Sequence, residues 1–448
     1  MYLIDKEKPL TTEILKNILM DFQTSELPRL NKLDNYYHGK HKILYKTASD
    51  KEKKYNKVVT NFCHYITETY LGYLTGIPIS YNNDNFDQVL DILKYNDYKT
   101  EDNELLRQAL IYGRSFEINY VDENSVQRFR MLDTKNCIPV YENTLTNDLQ
   151  YVIRFWSEQL EANISKREYI VEVYGPESIV RYRSTEGFSS FDLISEEKHY
   201  YGQCPVSVFS LNKDEMGIFE QIISLQDAYN EVVSGSIDDF DAFADCYLIL
   251  KGMTAEDEDL ADMKRNRVML LDPDADASYL TKNINDNQIM NLITNLKENI
   301  HKIANCPDFT DPNFMSQSGI AIKYKLVGME TTAASIEEAM HLVLQRRIEL
   351  ITQILSLTGT DDTWRDVNIT FTRNLPVDLE NIVTIVNNLR GLVSDETLLG
   401  LIPFVTDVNA ELEKVKVQKE SNIDLFSLGT IIEEDGNENE KLLRKKRA

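Results

Sequence analysis

The sequence has few cysteines, no long apolar run and a shortage of positive charge, and each lack removes a class of protein. Five cysteines, at positions 63, 137, 204, 246 and 306, are odd in number and never spaced C-x-x-C. That argues against a disulfide framework or a structural zinc site and leaves buried free thiols. No stretch approaches the roughly 18 apolar residues of a membrane-spanning helix. The opening MYLIDKEKPL carries charges where a secretory signal has an apolar core. The expectation is a protein made and used in a cytoplasm, or exported by a route other than secretion, with no membrane partner. Lysine and arginine number 48 against 73 aspartates and glutamates, a formal charge of -25. Proteins that grip nucleic acid present a basic face, because phosphate neutralisation supplies most of the affinity. This chain is not basic overall. Its charge suits plain solubility, or a surface past which DNA slides.

Catalytic signatures are missing too. There is no GxxxxGK[ST] phosphate loop, no GxGxxG, no HExxH and no GxSxG. Cys63 and His64 are adjacent, and on a helix neighbours point about 100° apart, which argues against a dyad. LDPDADAS places Asp272, Asp274 and Asp276 at alternate positions, like the opening of a calcium loop. Ala277 stands where the turn glycine belongs and Asn283 where the bidentate glutamate belongs. A solvated acidic turn is the simpler expectation, and no cofactor or metal is predicted.

What the sequence does contain is ample core, 42% hydrophobic over 448 residues, and clear periodicity. Residues 11–35 read as one or two short helices broken at Pro28. DNYYHGKHKI follows from Asp34, then an asparagine-led helix in 56–81 that Gly76 and Pro78 end, then a helical run over 86–112. From 114 to 211 the period drops to two. FEINYV, QRFRML, CIPVYE, LQYVIRFW, EYIVEVYG and SIVRYR read as antiparallel strands. Residues 1–216 therefore form an α+β region.

Beyond it the pattern becomes helical. Residues 217–245 give a long amphipathic helix interrupted at Ser234-Gly235-Ser236, with an acidic face that includes Asp238, Asp239, Asp241 and Asp245. A second long helix covers 284–306. Between them, 246–283 holds two strand-like runs, YLILK and RVMLL, around the acidic Glu256-Asp257-Glu258-Asp259. Two such helices, each with a narrow apolar stripe, describe a projecting hairpin that is best buried when copies pack side by side. Residues 307–375 follow. Here Ile320, Ala321, Tyr324 and Leu326 are apolar, and Lys323 and Lys325 lie among them. Gly328-Met329-Glu330-Thr331-Thr332 is a poor helix former. A loop is expected there, followed by a long helix opened by a Ser335/Glu338 capping box. Short helices over 376–420 and a charged tail, 421–448, complete the chain. The tail ends in the basic run Arg444-Lys445-Lys446-Arg447.

The segments Ser318-Gly319, Ala321, Lys323 and Gly328-Met329-Glu330 resemble the portal (head–tail connector) proteins of tailed bacteriophages, in the subfamily typical of phages of Gram-positive hosts. YYHGKHKI, the helix ending Gly-Ile-Pro-Ile, and GLVSDETLLGLIPFV resemble the same subfamily. The resemblance covers about residues 30–420. It implies an α+β protomer with a wing (1–216), a stem helix (217–245), a clip (246–283), a second stem helix (284–306), a tunnel loop with a long wing helix (307–375) and a helical crown (376–420). It further implies a homo-oligomeric ring, a dodecamer in the virion, at the portal vertex of the capsid and assembled in the host cytoplasm. Double-stranded DNA would slide through the ring. A terminase ATPase, a head-completion adaptor, and the scaffold and major capsid proteins would be its partners. Gly328, Met329, Glu330, Thr331 and Thr332 would line the channel, with Lys323 and Lys325 nearby, and the clip acids Glu256, Asp257, Glu258 and Asp259 would meet docking proteins. Such a subunit catalyses nothing. Two other readings remain open: an oligomeric scaffold without a channel, and an enzyme using paired carboxylates within 227–262.

Overall fold

In the computed structural model the first helix, α1 (Thr12–Tyr37), runs unbroken through Pro28. The expected break does not form. Proline removes only the bond to the carbonyl of Thr24, and both residues lie on the exposed side, where water can take the place of that bond. On its inner side α1 buries Leu15, Leu19, Phe22, Leu30 and Leu33. The structure describes residues 1–5, 8–47, 55–82, 86–159, 167–184, 187–244, 247–251, 274, 276–280, 286–311, 319–357, 364–374, 379–402, 405 and 408–418.

The α+β character expected of the chain is present. After β1 (Tyr2–Ile4) and α1 come a 3-10 turn (Lys42–Tyr45), α2 (Phe62–Thr75) and β2 (Ser80–Asn82). The helical run at 86–112 is two helices, α3 (Asp87–Tyr95) and α4 (Tyr98–Tyr112). They part at Asn96-Asp97, where Asp97 takes a left-handed conformation, φ 51°.

The alternating stretch folds into strands as its period demands. These are β3 (Arg114–Val121), β4 (Gln127–Leu132), β5 (Cys137–Glu142), β6 (Leu149–Gln159), β7 (Arg167–Tyr174), β8 (Ser178–Ser184), β9 (Asp192–Lys198) and β10 (Val206–Ser210). One sheet has the order β1-β5-β6-β7-β8-β9, antiparallel except for β1, which runs parallel to β5; a second has the order β10-β3-β4. Phe116, Leu132, Cys137, Val152, Tyr174, Cys204 and Val206 form one buried cluster contributed by both. At roughly 1.5–3 kcal/mol per large buried apolar side chain, this cluster contributes much of the local stability.

Next come α5 (Ile223–Ala244), β11 (Tyr247–Lys251), β12 (Asp276–Leu280) and α6 (Asp286–Ile303). YLILK is β11, and it pairs antiparallel with β12. RVMLL, the acids 256–259, Asp245 and Asp272 lie outside the described residues. Helices α5 and α6 pack against each other. The interruption expected at Ser234-Gly235-Ser236 is absent; α5 passes straight through. Helix α7 (Gly319–Ser356) and strand β13 (Asn368–Thr370), paired with β2, complete a first unit, Met1–Arg373.

A second unit, Asn374–Ala448, contains α8 (Leu379–Leu389), α9 (Asp395–Gly400) and a helical stretch over 408–418. Ser394 caps α9, its hydroxyl accepting from the amide of Thr397 at 3.3 Å.

Candidate functional site

Helix α7 corrects the central expectation. Gly328–Thr332 is not a loop but part of one 38-residue helix. The cause is burial. Leu326, Met329, Ala333, Ile336, Met340 and Val343 alternate three and four residues apart, and all are buried. That stripe crosses the glycine and threonines and outweighs their weak helix propensity. Met329 and Ala333, both fully buried, are the signal that marks the helix as continuous. The Ser335 cap does not exist either. Ser335 donates back to the Thr331 carbonyl at 3.3 Å, as Thr331 does to Val327 at 2.8 Å and Thr332 to Gly328 at 3.2 Å.

Each of the five residues is accounted for. A Cβ on Gly328 would stand 3.3 Å from Oδ1 of Asn305, so glycine lets α7 close on the segment that follows α6. Asn305 also donates to Thr332 Oγ1 at 3.3 Å, and the Tyr70 hydroxyl of α2 lies 3.1 Å from the carbonyls of both Ala304 and Asn305. Met329 is in the core. Glu330 accepts from the Tyr73 hydroxyl and from Arg373 Nε at 3.0 Å, while Arg373 Nη2 reaches Glu337 at 2.6 Å. Thr331, exposed like Gly328, keeps an outward position in line with Tyr324 and Val327, which are exposed by 76% and 56%. Lys325 is exposed beside Gly328, across a concavity from His301 and Lys302; Lys323 lies in the same helix.

Farther along, α7 carries Arg347, which has no exposed surface. Its Nε donates to Glu117 of β3 at 2.8 Å and its Nη1 to Asp102 of α4 at 2.6 Å. Tyr81 of β2 donates to the same Asp102 at 2.9 Å, and the guanidinium lies 4.4 Å from the Phe129 ring centre on β4. Burial pushes both carboxyls above their ordinary range, and Arg347 offsets part of that shift. The guanidinium itself is held charged between them. Four elements are thus tied to one point of α7.

The row of polar residues on α5 does something composition did not suggest. Gln226, Asn230, Ser234 and Asp238 stand four residues apart. Their side-chain oxygens accept from the backbone amides of Phe62, Thr60, Val58 and Asn56, at 2.9, 3.0, 3.0 and 2.8 Å. Alternate amides of a strap, 56–62, whose last residue opens α2, are therefore fastened to successive turns of a helix. The spacing works because four helical residues rise about 6 Å and two extended residues about 6.6 Å. Asn56 Nδ2 also reaches Asp238 and Asp241, both at 2.9 Å. The carboxylates assigned to an acidic face thus serve partly as strap anchors. Asp227 accepts from Tyr36 at 2.7 Å, and Glu231 pairs with Lys46 at 2.6 Å. The strap also shortens the expected helix, since α2 begins only at Phe62, capped by Asn61 through the amide of His64.

His41 closes this network. Its Nδ1 faces Asn230 Nδ2 at 2.8 Å and its Nε2 faces the Tyr36 carbonyl at 2.9 Å. Asn230 Oδ1 already accepts from Thr60, so its Nδ2 donates. His41 is then neutral, with its proton on Nε2. Burial lowers its pKa, in agreement.

The outer sides of α5 and α6 are different in kind. Phe240 is 71% exposed and Met290 61%, with Leu292 and Ile303 also uncovered. None of the described helices is long and apolar enough to cross a membrane.

Comparison with known proteins places these features. Residues 17–425 match the model of the family described as phage portal protein, SPP1 Gp6-like. The portal protein of Clostridium phage phiCD119 is 22% identical over 417 residues, covering 86% of this chain and 91% of that protein. The portal protein of Bacillus phage SPP1 is 20% identical over 389 residues, covering 82% and 76%.

Proposed function

The chain belongs to the SPP1 Gp6-like phage portal proteins, and from that premise we propose that identical copies close into a ring around a DNA channel at one capsid vertex. The observation that carries this is the family match over 17–425, nearly the whole chain. The paired helices α5 and α6 support it, because their exposed apolar residues need a cover. Ring closure calls for a head-to-tail interface in which one face of each copy meets a different face of the next. A dodecamer is the proposed state in the virion.

In this proposal residues 1–216 with α7 are the wing, α5 and α6 the stem, the segment 246–283 with β11 and β12 the clip, and 376–420 the crown. Terminase and a head-completion adaptor would dock at the clip, where Glu256, Asp257, Glu258 and Asp259 offer charge. Scaffold and major capsid proteins would meet the ring elsewhere. No loop at Gly328–Thr332 is invoked. The part of that stretch suited to DNA is the outer face of α7, with Tyr324, Val327 and Thr331, beside Lys323 and Lys325. A helix face whose outward residues Tyr324, Val327 and Thr331 are uncharged guides a polyanion past with few fixed contacts. The acids Asp239 and Asp245, with Asp238 and Asp241 held by Asn56, add repulsion along the stem.

The subunit's role is structural, as is that of its family, and the energy for DNA movement would come from the terminase. Negative-stain microscopy and native mass spectrometry of the purified chain test the proposal. Rings with an axial pore are expected; a monomer at every concentration would refute it.

A further inference from the structure

On a chain with 25 more negative than positive charges, one concavity is lined by lysines and by no carboxylate among the described residues. It measures about 350 Å³ and lies between the end of α1 and the 3-10 turn. Asn31, Lys32, Asn35, Lys40, Lys42 and Tyr45 converge on it. Lys32, Lys40 and Lys42 are all exposed, and Tyr45 is 67% exposed. Two acids, Asp227 and Glu231, share an adjoining concavity with Lys42 and Tyr45, and each has a partner of its own. Asp227 holds the Tyr36 hydroxyl and Glu231 holds Lys46. Lys32 lies 5.9 Å from the ring centre of Tyr36, and none of the three lysines is within ion-pair distance of a carboxylate among the described residues.

The backbone beneath them is fixed. Gly39 makes a left-handed turn at φ 75°, and the Lys40 amide donates to Asn35 at 2.7 Å. His41 is buried between Tyr36 and Asn230, and Lys57 Nζ holds the Leu44 carbonyl at 2.9 Å. The platform is therefore fixed in its backbone while none of its ammonium groups is held in a close ion pair, although Lys42 feels the charge of Glu231. Lysine, asparagine and tyrosine are the donors that contact phosphate and sugar oxygens in nucleic-acid complexes.

We propose that this platform contacts the phosphate backbone of duplex DNA without reading sequence, distinct from the sliding surface of α7. The inference rests on the portal reading only for the choice of duplex DNA as the polyanion. Three lysines release about three counterions, a slope of about -2.7 in log affinity against log salt for each site. That corresponds to about a 40-fold loss of affinity per site between 50 and 200 mM salt.

The experiment is fluorescence anisotropy of the intact chain with a short labelled duplex of mixed sequence, across a salt series. The variant Lys32→Gln/Lys40→Gln/Lys42→Gln should lose at least tenfold in affinity at low salt, and its salt slope should flatten by about 2.7 per site. Lys198→Gln, on β9, should change neither. The proposal is overturned if the wild-type chain does not bind duplex, or if the triple variant keeps the wild-type affinity and slope. It is equally overturned if the variant keeps its DNA affinity but stops forming rings, which would assign the lysines to an acidic face of the next copy. Failure of the portal reading looks different. The wild-type chain would then show no ring or pore, whatever the lysines do to DNA binding.

Discussion

Helix α7 and the α5–α6 pair are both long and amphipathic, yet the first is anchored along most of its length within a single chain, Tyr324, Val327 and Leu342 apart, and the second is not. Helix α7 buries a stripe from Leu326 to Ile351 and places Arg347 where no water reaches. Helix α5 commits a polar row to the strap, and the pair leaves Phe240, Met290 and Leu292 outside. The difference separates what a subunit needs in order to fold from what it needs in order to meet other molecules. Apolar surface that one chain cannot cover is an assembly surface or an aggregation hazard.

The largest effect should come from the satisfied side. Arg347→Met leaves Glu117 and Asp102 buried without a counter-charge and should cost about 3–5 kcal/mol. Thermal melting would show it. If Arg347→Met combined with Glu117→Leu and Asp102→Leu recovers most of the loss, the cost lies in the stranded carboxylates and not in lost packing. A smaller effect belongs to the strap. Asn230→Ala strands the Thr60 amide and His41 and should cost about 1–3 kcal/mol. Hydrogen exchange should quicken at the amides of Val58, Thr60 and Phe62 but not in β6 or β7. Equal quickening in both would mean that strap and sheets open together.

Acid should act in the same place, more gently. His41 has a depressed pKa, so its contribution is complete above the free-histidine value of about 6.5 and fades as pH falls toward the folded value. Protonated Nδ1 would point a hydrogen at the donating Nδ2 of Asn230. Exchange of the strap amides, corrected for intrinsic rates, should therefore rise between pH 7 and pH 5. His41→Gln should blunt that rise. On the exposed side, Phe240→Ser and Met290→Ser should shift subunit stability by no more than about 0.5 kcal/mol while reducing ring yield. A large drop in melting temperature instead would show that these side chains are covered within the chain, and the comparison would fail.

Much of this was legible beforehand. Strands of period two, from FEINYV to SIVRYR, could hardly fold otherwise, and the stripes of α5 and α6 were plain. Resemblance also led correctly to the family. Three of the errors share one cause, which is that local propensity was set above burial. Pro28, Ser234-Gly235-Ser236 and Gly328–Thr332 all look like breaks, and helices cross each of them. The Arg347 site was not visible because Tyr81, Asp102, Glu117 and Phe129 come together only through tertiary folding. The strap escaped notice for another reason. The i,i+4 row of Gln226, Asn230, Ser234 and Asp238 was readable, but its partners are backbone amides, which leave no trace in composition.

That row behaves as a ruler with marks at fixed intervals. One turn of α5 answers to two residues of the strap, so the two can change length together only in whole marks. Adding or removing a pair of residues within 56–62 moves the chain by one mark and presents the same kind of amide to every acceptor. A single insertion turns each donor away and offers a carbonyl instead. Over its natural history this segment should accept length changes in twos, although as an ungapped extended strap it looks indifferent to them.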